Sequence, residues 1–223
     1  MKEGILQLVK DVLFPIFCLG CGQEGNWICK DCTQKIKVQF KTEIKAVPGL
    51  DRVTAFFNYQ DGEIIPKLIK QLKYSYARDL AYEVAKMLQN KMTSQDIFES
   101  GFEVIPVPLH KIRQRQRGFN QAELIARQLT FLFPHQSLII NKLKRIKNTP
   151  QQTKLSGENR KNNLDDAFVW SASGLAPKKV VLVDDVFTTG ATMQACAKTL
   201  KRSGTETVWG LVLARRFFMP NIS

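Results

Sequence analysis

Histidine is scarce: two residues in a chain of 223 leave little imidazole for metal or proton chemistry. Neither has a second imidazole or a carboxylate at ligand spacing, so His110 and His135 are read as polar surface residues without a catalytic role. No uninterrupted apolar run approaches the roughly 20 residues that a membrane-spanning helix needs. Near the start, Ile5, Leu8, Val9 and Val12 follow helical spacing, but Lys10 and Asp11 interrupt the run and Pro15 ends it. A short amphipathic helix is expected there rather than a signal peptide or a span, which favours a cytoplasmic protein and leaves a peripheral position at the inner membrane face open. No internal repeat is visible. Acidic residues are also under-represented, 20 against 33 lysines and arginines, for a formal charge of +13. That excess favours polyanionic partners such as nucleic acid, or a small anionic substrate steered by the field. With 44% hydrophobic residues the chain is not a disordered one, and its length suits one ordinary domain with a small appendage.

Cysteine is sparse but ordered. Cys18-x-x-Cys21 and Cys29-x-x-Cys32 form two knuckles, with Gly20 and Gly22 giving the tight backbone that lets sulfurs converge on one ion. Four thiolates close a tetrahedral sphere, so a structural zinc is expected, with no open position for a reacting water. In a reducing compartment a pair of disulfides is the weaker reading. Cys196 stands apart and is read as a buried core thiol. Pro48-Gly49 marks a turn, and the appendage is drawn as residues 1–45, with the main domain at 46–223.

Along the main domain, strands are expected over 52–59, 102–109, 138–140, 167–170, 180–183 and 205–213, with helices over 64–72, 79–89, 120–132 and 191–201. Alternation of this kind specifies an α/β fold with a mainly parallel sheet flanked by helices. Between the first two helices, residues 70–76 mix two lysines with two tyrosines; base stacking is conceivable, but the rings are expected to pack into the core. Lys111, Arg113, Arg115 and Arg117 fall at alternate positions, which in an extended loop would point the same way and grip phosphates or a nucleic-acid backbone. The stretch 141–163 is rich in basic residues and amides and long for a connection, so it is expected to be a lid or tether with one short helix near 156–159.

Residues 180–193, VVLVDDVFTTGATM, read as buried strand, turn and helix start. Ligands of open α/β sheets bind beyond such a strand end, where backbone N–H groups face an anion. Asp184 and Asp185 would be costly at a buried strand end unless they bind something, and vicinal ribose hydroxyls or Mg²⁺ answer that need. Thr188, Thr189 and Thr192 add hydroxyls, while Gly190 and Ala191 let backbone approach a phosphate. An Asx turn would account for one aspartate and leave the other unexplained.

The segment DDVFTTGAT resembles the phosphoribosyl-pyrophosphate signature of type I phosphoribosyltransferases. The resemblance implies that Asp184 and Asp185 hold the ribose diol, that residues 188–192 cradle the 5′-phosphate, and that Mg²⁺ accompanies the ligand. More of the chain is similar to a narrower family: the four cysteines, PVPL at 106–109, RQRGFNQAE at 115–123, and TPxQTxLS from Thr149 with Arg160, Asn163, Ala167 and Phe168 resemble the ComF (ComFC) competence family. That resemblance implies a zinc finger before a phosphoribosyltransferase-type domain. It further implies a part in bringing transforming single-stranded DNA into the cytoplasm alongside a ComFA-type helicase. Residues 107–111 would then be the diphosphate loop. No known purine or pyrimidine hood maps onto the chain, so a working transferase with an unidentified acceptor is the alternative.

Overall fold

The computed structural model describes residues 15–44, 47–74, 77–92, 100–133, 136–148 and 166–215. The expected N-terminal helix, His135, and most of 141–163, including the short helix and the TPxQTxLS string, lie outside these residues.

The element order is α1 (Lys30–Lys35), β1 (Lys41–Ile44), β2 (Arg52–Asn58), α2 (Ile64–Gln71), α3 (Ala77–Gln89), β3 (Glu103–Pro106), α4 (Lys111–Arg117), α5 (Gln121–Leu132), β4 (Ser137–Leu138), β5 (Leu143–Arg145), β6 (Phe168–Trp170), β7 (Lys179–Phe187), α6 (Ala191–Arg202) and β8 (Thr207–Arg215). Six strands form one sheet in the order β1-β2-β8-β7-β3-β4. Only β1 runs antiparallel within it; β2, β8, β7, β3 and β4 are parallel, which makes the sheet mixed and mostly parallel. β5 and β6 make a separate antiparallel ribbon.

Burial on both faces explains the unbroken VVLV run at the start of β7, since a strand covered by helices on each side has no solvent face to keep polar. Val180 and Leu182 pack with Cys196, Ala197 and Leu200 of α6 and with Leu143 and Phe168 of the ribbon. Val181 and Val183 pack with α2, α3 and α5 through Leu68, Val84 and Ile125, among others. The chain leaves β3 outward to β4 and leaves β7 inward to β8. The strand order therefore reverses between β3 and β7, and the crevice beyond their carboxyl ends is where folds of this kind take ligands.

Three expectations require correction. Residues 111–117 are helix, not an extended loop: Lys, Arg and Gln are good helix formers, His110 accepts from Ile112 N–H at the amino end, and Gly118 at φ 81° ends the turn. The row of positives is therefore split, with Lys111 and Arg115 on one face and Arg113 and Arg117 on another. Residues 41–44, where no strand was expected, form the edge strand β1, held to β8 by Glu43 and Arg215 at 2.8 Å. Within 141–163, residues 143–145 are β5 rather than loop, because Leu143 has a buried slot in the core beneath α6.

Among the described residues the cysteine segment has no separate core. Cys18, Trp27, Ile28, Cys29, Cys32 and Ile36 share one buried cluster with Phe56, Phe57 and Leu68 of the main sheet and α2. Phe56→Ala should therefore weaken both regions together, lowering the unfolding free energy by about 3–5 kcal/mol. Urea unfolding followed by tryptophan fluorescence and by far-ultraviolet circular dichroism should give coincident shifted midpoints. Separate midpoints would show that the cysteine segment folds independently.

Candidate strand-end site and cysteine cluster

The four cysteines converge. One ligand sulfur from each of Cys18, Cys21, Cys29 and Cys32 lies within 4.8 Å of every other, and Cys21 Sγ is 3.6 Å from Cys29 Sγ. Sulfurs bound tetrahedrally at about 2.3 Å stand roughly 3.8 Å apart, so the cluster can hold one metal ion with modest adjustment. Local backbone makes the first knuckle: Gly22 N–H donates to Cys18 O at 2.9 Å, and Gly22 sits at φ 76°. Gly20 leaves room for the second, since a Cβ there would stand 2.6 Å from Cys32 Sγ.

Burial raises the Cys18 thiol, but amide hydrogen bonds from Cys29, Cys21 and Gly20 outweigh it and bring the group down to about 6. Burial and the neighbouring sulfurs push Cys32 up to about 12. The shifts are opposed because the sulfurs lie close together, and a bound cation would favour the thiolate form of all four. Cys196 lies outside the cluster, fully buried in α6, as expected of a core thiol.

At the other site, both aspartates belong to β7 itself, and the turn comprises residues 188–190. Asp185 is 4% exposed and its Oδ2 has no hydrogen-bond partner. The nearby cation is Lys73 of the turn after α2, whose Nζ stands 3.8 Å from that oxygen. Asp184 Oδ1 accepts from the Asp185 N–H at 2.9 Å. Burial pushes the Asp184 carboxyl well above the usual carboxylate range, the Asp185 charge adds to the push, and Lys73 opposes it. Arg145 of β5 also lies within electrostatic reach of Asp184, and burial and the charge of Arg113 weigh against its own protonation.

The threonine turn leads into α6 through Gly190, which adopts φ 74°. A side chain there would run into the Phe187 ring and meet Val47 Cγ1 at 2.9 Å, so glycine is required for fit as well as conformation. No side chain caps the first turn of α6, and that turn carries no acidic residue. Its amide groups are open beside Thr188 and Thr189, both exposed, with Ala191 and Thr192 half-buried. The 107–110 loop borders the same crevice from β3: Val107 N–H donates to Val183 O at 2.9 Å, and buried Asn120 donates from Nδ2 to Val107 O at 3.0 Å while capping α5. In the GFN triplet, Gly118 ends α4 and Asn120 starts α5.

Arg117 donates to Gln121 Oε1 at 2.7 Å, and Lys111 and Arg115 face solvent. Thus the four basic residues of 111–117 do not act as one row. Tyr74 does not pack into the core as expected: it is 53% exposed, and Tyr82 of α3 is 41% exposed. Sequence reasoning missed Lys73 and Arg145. The former lay inside a segment already marked by its lysines and tyrosines, and the latter inside a stretch read as loop.

Two outcomes follow. Gly20→Ala should leave metal bound well below one ion per chain by atomic absorption, because the new Cβ occupies the space of the Cys32 sulfur. For Asp184, a folded-state value raised above the unfolded one means that stability is fully present below the unfolded value, about 4, and is lost as pH rises through the raised value. Asp184→Asn should therefore match wild type in urea near pH 4 and exceed it increasingly toward pH 8, whereas a constant difference would rule out the like-charge penalty.

The phosphoribosyl transferase domain model matches residues 115–216, which include β7, the threonine turn and α6. Competence protein F of Haemophilus influenzae is 33% identical over 210 residues, covering 90% of this chain and 86% of that protein. Competence protein ComFC of Bacillus subtilis is 27% identical over 199 residues, covering 84% and 72%. The DNA utilization protein YhgH of Escherichia coli K12 is 31% identical over 154 residues, or 66% of each chain. With a four-cysteine cluster ahead of a phosphoribosyltransferase-like sheet and this similarity along nearly its whole length, the chain belongs to the ComF (ComFC) competence family.

Proposed function

We propose that this protein assists uptake of transforming single-stranded DNA into the cytoplasm, binding the strand on a basic surface and retaining a pocket for phosphoribosyl pyrophosphate. The observation that carries the pocket is Asp185: a carboxylate 4% exposed, with an oxygen lacking any hydrogen-bond partner, at the carboxyl end of a central strand. Leaving such a buried group unsatisfied costs on the order of a few kcal/mol, and ribose hydroxyls donating to it would offset that cost. Asp184 and Asp185 take the diol, and the residue 188–192 turn with the first α6 amides takes the 5′-phosphate. Mg²⁺ fits the same acidic pair, where it would neutralise phosphate charge. Zinc is the ion for Cys18, Cys21, Cys29 and Cys32, given four sulfur donors and no open position.

DNA affinity comes from the charge of +13 and from exposed basic residues. On α2 and α3, Lys67, Lys70, Arg78 and Lys86 are exposed, with Tyr74 and Tyr82 available to stack on bases. Lys111 and Arg115 extend the charge along α4 to backbone phosphates. The units of this reading are the zinc module, residues 1–45, as a platform for DNA or a ComFA-type helicase, and residues 46–223 as the ligand-binding domain, in a protein working in the cytoplasm.

Calorimetry with phosphoribosyl pyrophosphate and Mg²⁺ should give saturable binding to wild type and none to Asp184→Ala/Asp185→Ala. Retention of labelled single-stranded DNA should fall steeply between low and moderate salt. Normal transformation in a deletion strain would end the uptake reading.

The transferase-domain match favours a second reading, an active phosphoribosyltransferase with an unidentified acceptor in nucleotide salvage. Positive charge would develop at the ribose anomeric carbon as diphosphate leaves. Mg²⁺ with Arg113, Arg115 or Lys111, on the helix that follows the 107–110 loop, would stabilise the departing charge. Diphosphate release with any member of a panel of bases would select this reading over uptake assistance alone.

A further inference from the structure

Lys73 lies outside the segment matched by the transferase-domain model, in the turn that follows α2. Its backbone N–H donates to Lys70 O at 3.2 Å, which fixes the turn and aims the side chain at the end of β7. The Nζ to Asp185 Oδ2 distance of 3.8 Å is too long for a hydrogen bond, and no hydrogen bond of this ammonium is found among the described residues. The carboxylate side chain is 6% exposed and the lysine side chain 29%.

Other lysines of the chain close fully on their carboxylates: Lys67 on Glu63 at 2.8 Å, Lys178 on Glu206 at 2.6 Å and Lys201 on Asp51 at 3.0 Å. Those pairs are more exposed, and attraction between charges there is weaker than in a drier site. A wider gap at the more buried pair leaves an acceptor oxygen and ammonium donors unused beside each other. That is the arrangement of a donor and an acceptor prepared to meet neighbouring polar groups of one ligand. Three and four residues after Asp185 come Thr188 and Thr189, both exposed, and then the uncapped first turn of α6.

We propose that Lys73 is a ligand-binding residue of this site, neutralising Asp185 until a phosphorylated ribose enters, then turning its ammonium to the ligand's oxygens while Asp185 accepts from its hydroxyls. The inference rests on the reading that the site takes such a ligand. It has a consequence that a merely supporting lysine lacks. Lys73 and a divalent cation face the same carboxylate, so the lysine opposes binding of the cation alone and favours binding of the anion.

The test titrates full-length protein with MnCl₂ alone and, separately, with ribose 5-phosphate at fixed MgCl₂, for wild type, Lys73→Met and Lys73→Arg. Removing one positive charge from a partly desolvated site should tighten Mn²⁺ binding and weaken ribose 5-phosphate binding in Lys73→Met, each on the order of tenfold. Lys73→Arg should keep near-wild-type affinity for both. Lys73→Gln carries the same expectation as Lys73→Met and replaces it if that variant does not fold. Two affinities that fall together, or that do not change, overturn the role of Lys73. Failure of wild type itself to bind ribose 5-phosphate overturns the reading of the pocket and this inference with it, whereas wild-type binding indifferent to Lys73 overturns only the inference.

Discussion

The structure around the crevice depends on keeping two adjacent carboxylates at the end of a buried strand. Burial and mutual repulsion raise Asp184 well above its ordinary range, while Asp185 stays next to Lys73 with one oxygen unsatisfied. A fold selected for stability alone would place apolar side chains there, as β7 does at 180–183. Everything nearby accommodates the pair: the amide of Asp185 turned onto Asp184, Lys73 brought over from α2, Arg145 brought over from the ribbon, and the loop after β3 pinned by Asn120.

The cysteine cluster solves a related problem at the other end of sequence. Thiols packed this closely disagree in their proton affinities, one drawn to about 6 and one pushed to about 12, and a bound cation would remove the disagreement. The cluster also shares its apolar neighbours with the main sheet, through Trp27, Ile28 and Ile36 beside Phe56 and Phe57. The packing of the cysteine segment and that of the main sheet therefore share one set of buried side chains.

Much of this was legible beforehand. The VVLV run, the DD pair and the TTG turn carry period, charge and backbone demands that only a strand, a polar strand end and a helix start satisfy together. Paired knuckles with glycine between them led to the sulfur cluster for the same reason: spacing and chemistry act locally. The basic residues at 111–117 were misread because alternation of charge resembles a strand pattern, while helix propensity and a glycine stop decided the outcome. β1 was missed because its residues, KTEI, carry little apolar alternation; pairing with β2 and the Glu43–Arg215 bridge stabilise it from outside. Tyr74 was expected inside, but the core under α2 is already filled by Ile65, Leu68, Ile69 and Leu72.

What the amino-acid order determined by itself was the set of local elements, the four-cysteine cluster and the glycine-containing turn between β7 and α6, each set by residues close to one another along the chain. Which side chains complete the crevice was decided only by tertiary structure. Lys73 is more than a hundred positions from Asp185, and Arg145 belongs to the separate β5-β6 ribbon rather than to the sheet that carries Asp184. Long-range electrostatic pairing depends on how the strands are ordered and which face each helix covers, and no local pattern of residues encodes that.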